Sequence, residues 1–272
     1  MKKTILFISK LHEQIQKDDL MSIANDLTYK MFFALFPFII FIMSIIGFLE
    51  LDTMRVIEKL SLALPQSLLQ PMEPIVKEIV GTKHPSLLSF SLIIALFGVS
   101  SGFHNAAKGI NKAYGQKDTR KIIVKILTSV ILALAFTCVV ILSFTMLVFR
   151  DSILKLSDQY FGPVLIVRYL FGLFGYVATV AIIFFFIVFI NKLAISQRIT
   201  YRSLAPGSFL TIALWIMISK LFNMYINNFT RYSALYGSIA GIMILMIWLN
   251  SICIVLLLGS EVNAMCSQSC RK

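Results

Sequence analysis

Lys220, Asn223 and Asn227 follow one another at +3 and +7 inside an apolar run, so on a helix they share one face. An ammonium flanked by two amides can receive a phosphate or another anionic group from a cavity. A lysine in that position can equally run its stem along apolar surface and leave its charge at headgroup level. The sequence leaves both open. Asn250 and Glu261 sit eleven residues apart, about three helical turns and nearly on one face, in a second apolar run. The amide suits an interhelical hydrogen bond or a polar lining. The carboxyl could couple movement to an ion gradient or simply pair with a basic loop residue. Ionisable groups inside apolar runs are costly, so each is read first as functional.

Other chemistry is thinly provided. His12, His84 and His104 fall in separate regions, and no HExxH, acidic metal cluster or phosphate-cradling GxxxxGK[ST] occurs. Cys138 and Cys253 lie within apolar runs as small core residues, while Cys266 and Cys270 are spaced for one helix face. Two thiols without further ligands make a poor metal site. No cofactor and no metal are expected, and the catalytic set is empty.

The elements that must position these groups are membrane spans. Hydrophobic residues make up 58% of the 272-residue chain, and the mean hydropathy is +0.85. Apolar runs of about 20 residues match the roughly 30 Å hydrocarbon core, and backbone in lipid must satisfy itself as helix. Six runs qualify: about 30–50, 87–107, 122–149, 164–190, 204–227 and 237–260. The fold class is therefore all-α, a polytopic membrane protein in one domain. With Lys220 set aside, sixteen Lys and Arg residues are assigned to the side holding both tails and eight to the other. Basic residues are retained in the cytoplasm, so both termini are expected inside. The net charge of +12 lies where topology needs it, which favours contact with anionic headgroups and argues against nucleic acid as a partner.

The N-terminal stretch has no uninterrupted apolar core, so no cleavable signal is expected. Ile5, Leu6, Ile8, Leu11, Ile15, Ile23 and Leu27 instead predict an amphipathic helix on the cytoplasmic face. The 52–84 connection, broken by Pro65, Pro71 and Pro74, predicts two short amphipathic helices on the other side. Pro37 should loosen the first span. Gly98 and Gly102 with Ser100, Ser101, His104 and Asn105 make the end of the second span small and polar, fit for tight packing or a wet interior. Gly237, Gly241 and Gly259 put a close-packing face opposite Asn250 and Glu261 on the sixth.

With these residues assembled, the chain resembles the YihY/BrkB family of six-span bacterial membrane proteins. Three blocks carry the likeness: Leu27-Thr-Tyr29 leading to Leu35-Phe-Pro37; Ser100-Ser-Gly-Phe-His with Gly109-Ile-Asn111-Lys-Ala-Tyr114-Gly and Arg120; and a long block of spans five and six. The third runs from Ala205-Pro206-Gly207 through Trp215, Phe222, Tyr225, Phe229, Tyr232, Tyr236-Gly237 and Trp248 to Gly259-Ser-Glu261-Val-Asn263-Ala264. Lys30 replaces a usual aromatic and Ala34 a common serine.

The resemblance implies a multi-pass protein of the bacterial cytoplasmic membrane. It brings two labels, ribonuclease and virulence factor, and a discussed role in moving lipids or envelope precursors. A ribonuclease needs metal-held water or an acid–base pair. The carboxylates expected on the cytoplasmic side (Glu13, Asp18, Asp19, Asp26, Asp118 and Glu261) form no such motif. The residues favour movement of a lipid or anionic lipid-linked molecule, with membrane lipids as partners. The alternative is a non-catalytic, non-transporting scaffold for envelope enzymes, acting as a homo-oligomer or through an envelope-protein partner.

Overall fold

The structure, a computed structural model, describes residues 2–48, 85–161, 165–197, 199–228 and 230–269; side chains are described there except at 2–8, 46, 144–172, 174, 226–240 and 268–269. The 52–84 connection lies outside the described residues. All regular elements among them are α-helices: α1 (Lys2–Lys17), α2 (Leu20–Phe48), α3 (Pro85–Ala113), α4 (Ile122–Phe161), α5 (Leu165–Ala194), α6 (Tyr201–Asn228) and α7 (Thr230–Ser269). The last six each contain a stretch long and apolar enough to cross a membrane: 20–45, 85–113, 122–143, 175–194, 201–225 and 241–267.

The N-terminal region differs from the single amphipathic helix expected. It breaks at Asp18–Asp19, where Asp19 takes a left-handed φ of 50°. Aspartate tolerates that conformation better than most residues. The helix ends because Asp18 N–H closes on Gln14 O at 2.9 Å and Asp19 N–H turns to Gln16 O at 3.2 Å. Ile23 and Leu27 thus belong to the first span, which begins at Leu20, and Leu20, Ala24 and Leu27 are buried in the bundle. The helix continues through Pro37 to Phe48.

Spans consecutive in the chain run antiparallel, and two such pairs make close approaches along their length. A Cβ on Gly98 would lie 2.8 Å from Ala34 Cβ, and one on Gly102 would lie 2.5 Å from Met31 Cε. These two small positions let α2 and α3 pack intimately. On the other side, α6 and α7 meet at Gly207 and Gly259, with Trp215 Nε1 donating to Ile252 O at 3.0 Å. Lipid gives no hydrophobic drive to helix association, so such small-residue contacts and interhelical hydrogen bonds carry it. Phe38, Phe103, Phe136 and Phe186, from α2 to α5, join through ring centroids 5.5 to 6.1 Å apart. Around this centre the outward faces are apolar and exposed, as at Phe97, Ile122 and Phe185. A water-soluble surface would not tolerate that belt, whereas acyl chains solvate it.

Asp18, before α2, acts on Glu261 near the end of α7, so both tails lie at one end of the bundle. Tyr114 at the end of α3 also feels Glu261, and Asn111 binds the end of α5. This terminal end therefore gathers the start of α2, the ends of α3, α5 and α7, and the starts of α4 and α6.

Candidate functional site

The polar groups of the spans collect at the terminal end, in two kinds of arrangement. The first is closed. Gly115, with φ of +66°, ends α3 in a Schellman turn: its N–H reaches Lys112 O at 2.8 Å and Gln116 N–H reaches Asn111 O at 2.9 Å. That turn holds Asn111 against α5. Its Nδ2 donates to Ala107 O and Ala194 O at 2.8 and 2.7 Å, and its Oδ1 accepts from Ser196 N–H and Oγ at 3.0 and 2.9 Å. Arg120 completes the lashing. It donates to both Asp118 oxygens, at 2.9 and 2.8 Å, and to the Leu193 and Ala194 carbonyls, each at 2.9 Å. The guanidinium bonded to it holds the Asp118 carboxyl down at about 2, against the opposing effect of burial. These contacts fix where α3 and α5 end and where α4 begins.

Two similar locks bind α7. Ser260 donates to Asn191 Oδ1 at 2.8 Å, and both residues are almost fully buried. Gly207 N–H, one residue after Pro206, donates to Asn263 Oδ1 at 2.7 Å. Thr211 Oγ1 caps Gly207 O at 2.8 Å beside Gly259. Pro206, Gly207, Gly259 and Asn263 thus form one helix crossing.

The second arrangement is a cluster of cations, one of which, Lys125, also donates from Nζ to Asp118 O at 2.8 Å. Lys108, Lys30 and Lys125 are the positive charges acting on His104, in that order, with Asp118 opposing them. They come from α2, α3 and α4. Asp26 sits at the edge of this cluster, accepting from Asn105 Nδ2 and lying 3.6 Å from Lys30 Nζ. Tyr29 and Phe33, whose rings are 4.8 Å apart, are exposed on α2 beside it. Glu261 is 2% exposed, with Oε2 lacking a hydrogen-bond partner, and it faces Asp18. The Tyr114 hydroxyl is also buried without a partner; burial, then Cys266 and Glu261, raises it above the ordinary phenol range.

The sequence-predicted positions divide accordingly. Asn250 donates to Asn25 Oδ1 at 2.8 Å and to Thr28 Oγ1 at 3.1 Å, an interhelical bond to α2. Glu261 lies deeper toward the terminal end, so the two are not joined. Lys220 and Asn223 are exposed on α6. Lys220 stands nineteen residues from the start of that helix, about 28 Å at 1.5 Å per residue, and so near the opposite boundary. The surroundings of Asn227, Tyr236 and Gly237 lie outside the described side chains, and Gly241 is buried. Asn191 and Ser196 have no part in the sequence reading, and Asp18, Asn105 and Ser260 figure there only within a carboxylate set, a small polar stretch and a family block. Asn191 ends a long apolar run and carried the only visible signal. Among the described residues no three His, Cys, Asp or Glu gather as metal ligands.

Comparison with known proteins agrees with this architecture. The family described as Virulence factor BrkB matches residues 11–272. The ribonuclease-like protein YfkH of Bacillus subtilis (strain 168) is 30% identical over 259 residues, covering 95% of this chain and 94% of its own. The UPF0761 membrane protein PSHAa0171 of Pseudoalteromonas translucida (strain TAC 125) is 32% identical over 77 residues, 28% of this chain and 26% of that protein. No solved structure matches. The helix crossing at Gly207 and Gly259, the six apolar spans and the near full-length match lead to one assignment: this chain belongs to the BrkB family of membrane proteins.

Proposed function

We propose that this protein moves a lipid, or a lipid-linked envelope precursor with an anionic headgroup, across the bacterial cytoplasmic membrane, passively or coupled to an ion gradient. The observation that carries the reading is the basic cluster of Lys30, His104, Lys108 and Lys125 at the terminal end. Three helices contribute to it, and the exposed Tyr29 and Phe33 lie beside it. A phosphate would sit among the ammonium groups while its acyl chains lay along the aromatic face. At the opposite boundary, Lys220 with Asn223 offers a second polar station on α6. With both termini inside, the cluster would meet cytoplasmic headgroups and Lys220 the outer leaflet.

The reading is non-enzymatic and treats the ribonuclease-like name of the Bacillus relative as that protein's own. Reconstitution in liposomes with labelled anionic and neutral lipids tests it. The folded protein should move anionic lipid faster than neutral lipid. Alanine at Lys30, Lys108 and Lys125 together should abolish that preference, and Lys220→Ala should slow movement without changing it. No lipid movement by folded protein, with a stoichiometric envelope protein recovered by crosslinking, would replace this reading with the scaffold.

A further inference from the structure

Glu261 and Asp18 are 2% and 8% exposed and face one another across the junction of α7 with the α1–α2 turn. Charged groups of one sign are seldom buried together without compensation. Lys112 of α3 is the cation acting on Glu261, and Cys266 and Tyr114 stand on the same side; Gln14 of α1 approaches Asp18 Oδ2 at 3.4 Å. The two carboxyls lie within hydrogen-bonding reach of each other, and with both ionised they would leave one negative charge uncompensated by Lys112. Among the described residues three buried oxygens lack hydrogen-bond partners; two of them, Glu261 Oε2 and the Tyr114 hydroxyl, belong to this same group, and the third, Asn105 Oδ1, lies beside Asp26. Elsewhere at this end the amides and hydroxyls of Asn111, Asn191, Ser196 and Ser260 are bonded.

We infer that Asp18, Glu261 and the Tyr114 hydroxyl form a binding site for one monovalent cation, a proton or Na+. The oxygen donors suit a hard cation, and one positive charge completes the balance with Lys112. The occupant would hold the α1–α2 turn against α7, since the two carboxyls come from those elements. This deepens the proposed transport by naming its coupling ion. Its test reads cation binding without any lipid movement, so the two ideas fail separately.

The test is the melting temperature of the full-length protein in detergent, followed by tryptophan fluorescence. NaCl is exchanged for N-methylglucamine chloride at constant ionic strength, and separately the pH is varied between about 5 and 8. A ligand bound only by the folded state raises the melting temperature, here by about 5 °C at saturation. A rise with Na+ at fixed pH names Na+; a rise on acidification alone names the proton. Either response should vanish in Glu261→Gln and in Asp18→Asn, which also separates it from the titration of His12 and His104. Tyr114→Phe should weaken it while keeping every charge, and it serves if the carboxyl variants do not fold. A melting temperature indifferent to both Na+ and pH, or a response unchanged in these variants, overturns the inference.

Discussion

Gly207→Ala tests how α6 and α7 are joined. A Cβ at Gly207 would point at the Gly259 carbonyl oxygen and come 2.6 Å from both Cγ and Oδ1 of Asn263. Ordinary contact begins near 3.4 Å, so the helices must part or Asn263 must move by at least about 0.8 Å. Neither backbone nor a fully buried amide moves freely. Overpacking of this kind costs about 1–3 kcal/mol. Moving Asn263 also breaks its bond from Gly207 N–H; its Nδ2 already lacks a partner, so the whole amide would be buried unbonded. That adds about 1–3 kcal/mol, for a total of about 2–6 kcal/mol. Gly175→Ala is the control, because a Cβ there meets nothing within 4 Å and alanine favours the helix by about 1 kcal/mol. Graded SDS unfolding of the purified protein, read by fluorescence, measures both. The two tryptophans, Trp215 and Trp248, lie on α6 and α7, so the signal reports this pair. A Gly207→Ala protein as stable as wild type would refute the reasoning that backbone contact holds the crossing.

Other substitutions separate the lashing at the terminal end from its polar site. Arg120→Ala should cost about 1–3 kcal/mol in the same SDS assay, because it leaves the half-buried Asp118 without its guanidinium and frees the Leu193 and Ala194 carbonyls. Asp118 is held at about 2 in the folded protein, below its ordinary 3.8, so its stabilisation is present above pH 4 and is lost as pH falls toward 2. That difference is worth about 2 kcal/mol; the wild-type stability should therefore fall more steeply than that of Asp118→Asn over this interval. Gly115→Ala should cost about 1–2 kcal/mol, since its φ of +66° strains any Cβ-bearing residue, and an unchanged unfolding midpoint would contradict the Schellman turn. Asn250→Leu should loosen α2 from α7 by about 0.5–1.5 kcal/mol through the lost bonds to Asn25 and Thr28, seen as faster hydrogen exchange at the start of α2.

The spans were legible because lipid demands long apolar runs, and few other patterns imitate them. The start of the first span was not. Asp18, Asp19 and Asp26 look like a solvated face in sequence, yet Asp18 is buried where α1, α2 and α7 meet. A charge is legible as buried only when the partners that bury it are known, and those lie far along the chain. The family blocks marked Asn111, Arg120, Gly207, Glu261 and Asn263 without roles. The structure gives four of them to helix joints and leaves Glu261 with an open oxygen. Lys220, conspicuous in an apolar run, is exposed near the far boundary because sequence spacing sets a face but not what the face meets.

The bond between Asn250 and Asn25 joins residues 225 apart, the first span to the last. At about 5–20 residues per second, a ribosome needs roughly 10–45 s to deliver the second after the first. During that interval α2 already stands in the membrane. Thr28 is provided for, since its hydroxyl donates to Ala24 O at 2.6 Å within the same helix. Asn25 has no such local outlet and must rely on water or headgroups at the bilayer edge. Closure of the helical ring is therefore a late event of biogenesis, and a nascent chain stalled before α7 would expose the very amide by which quality control could recognise it as unfinished.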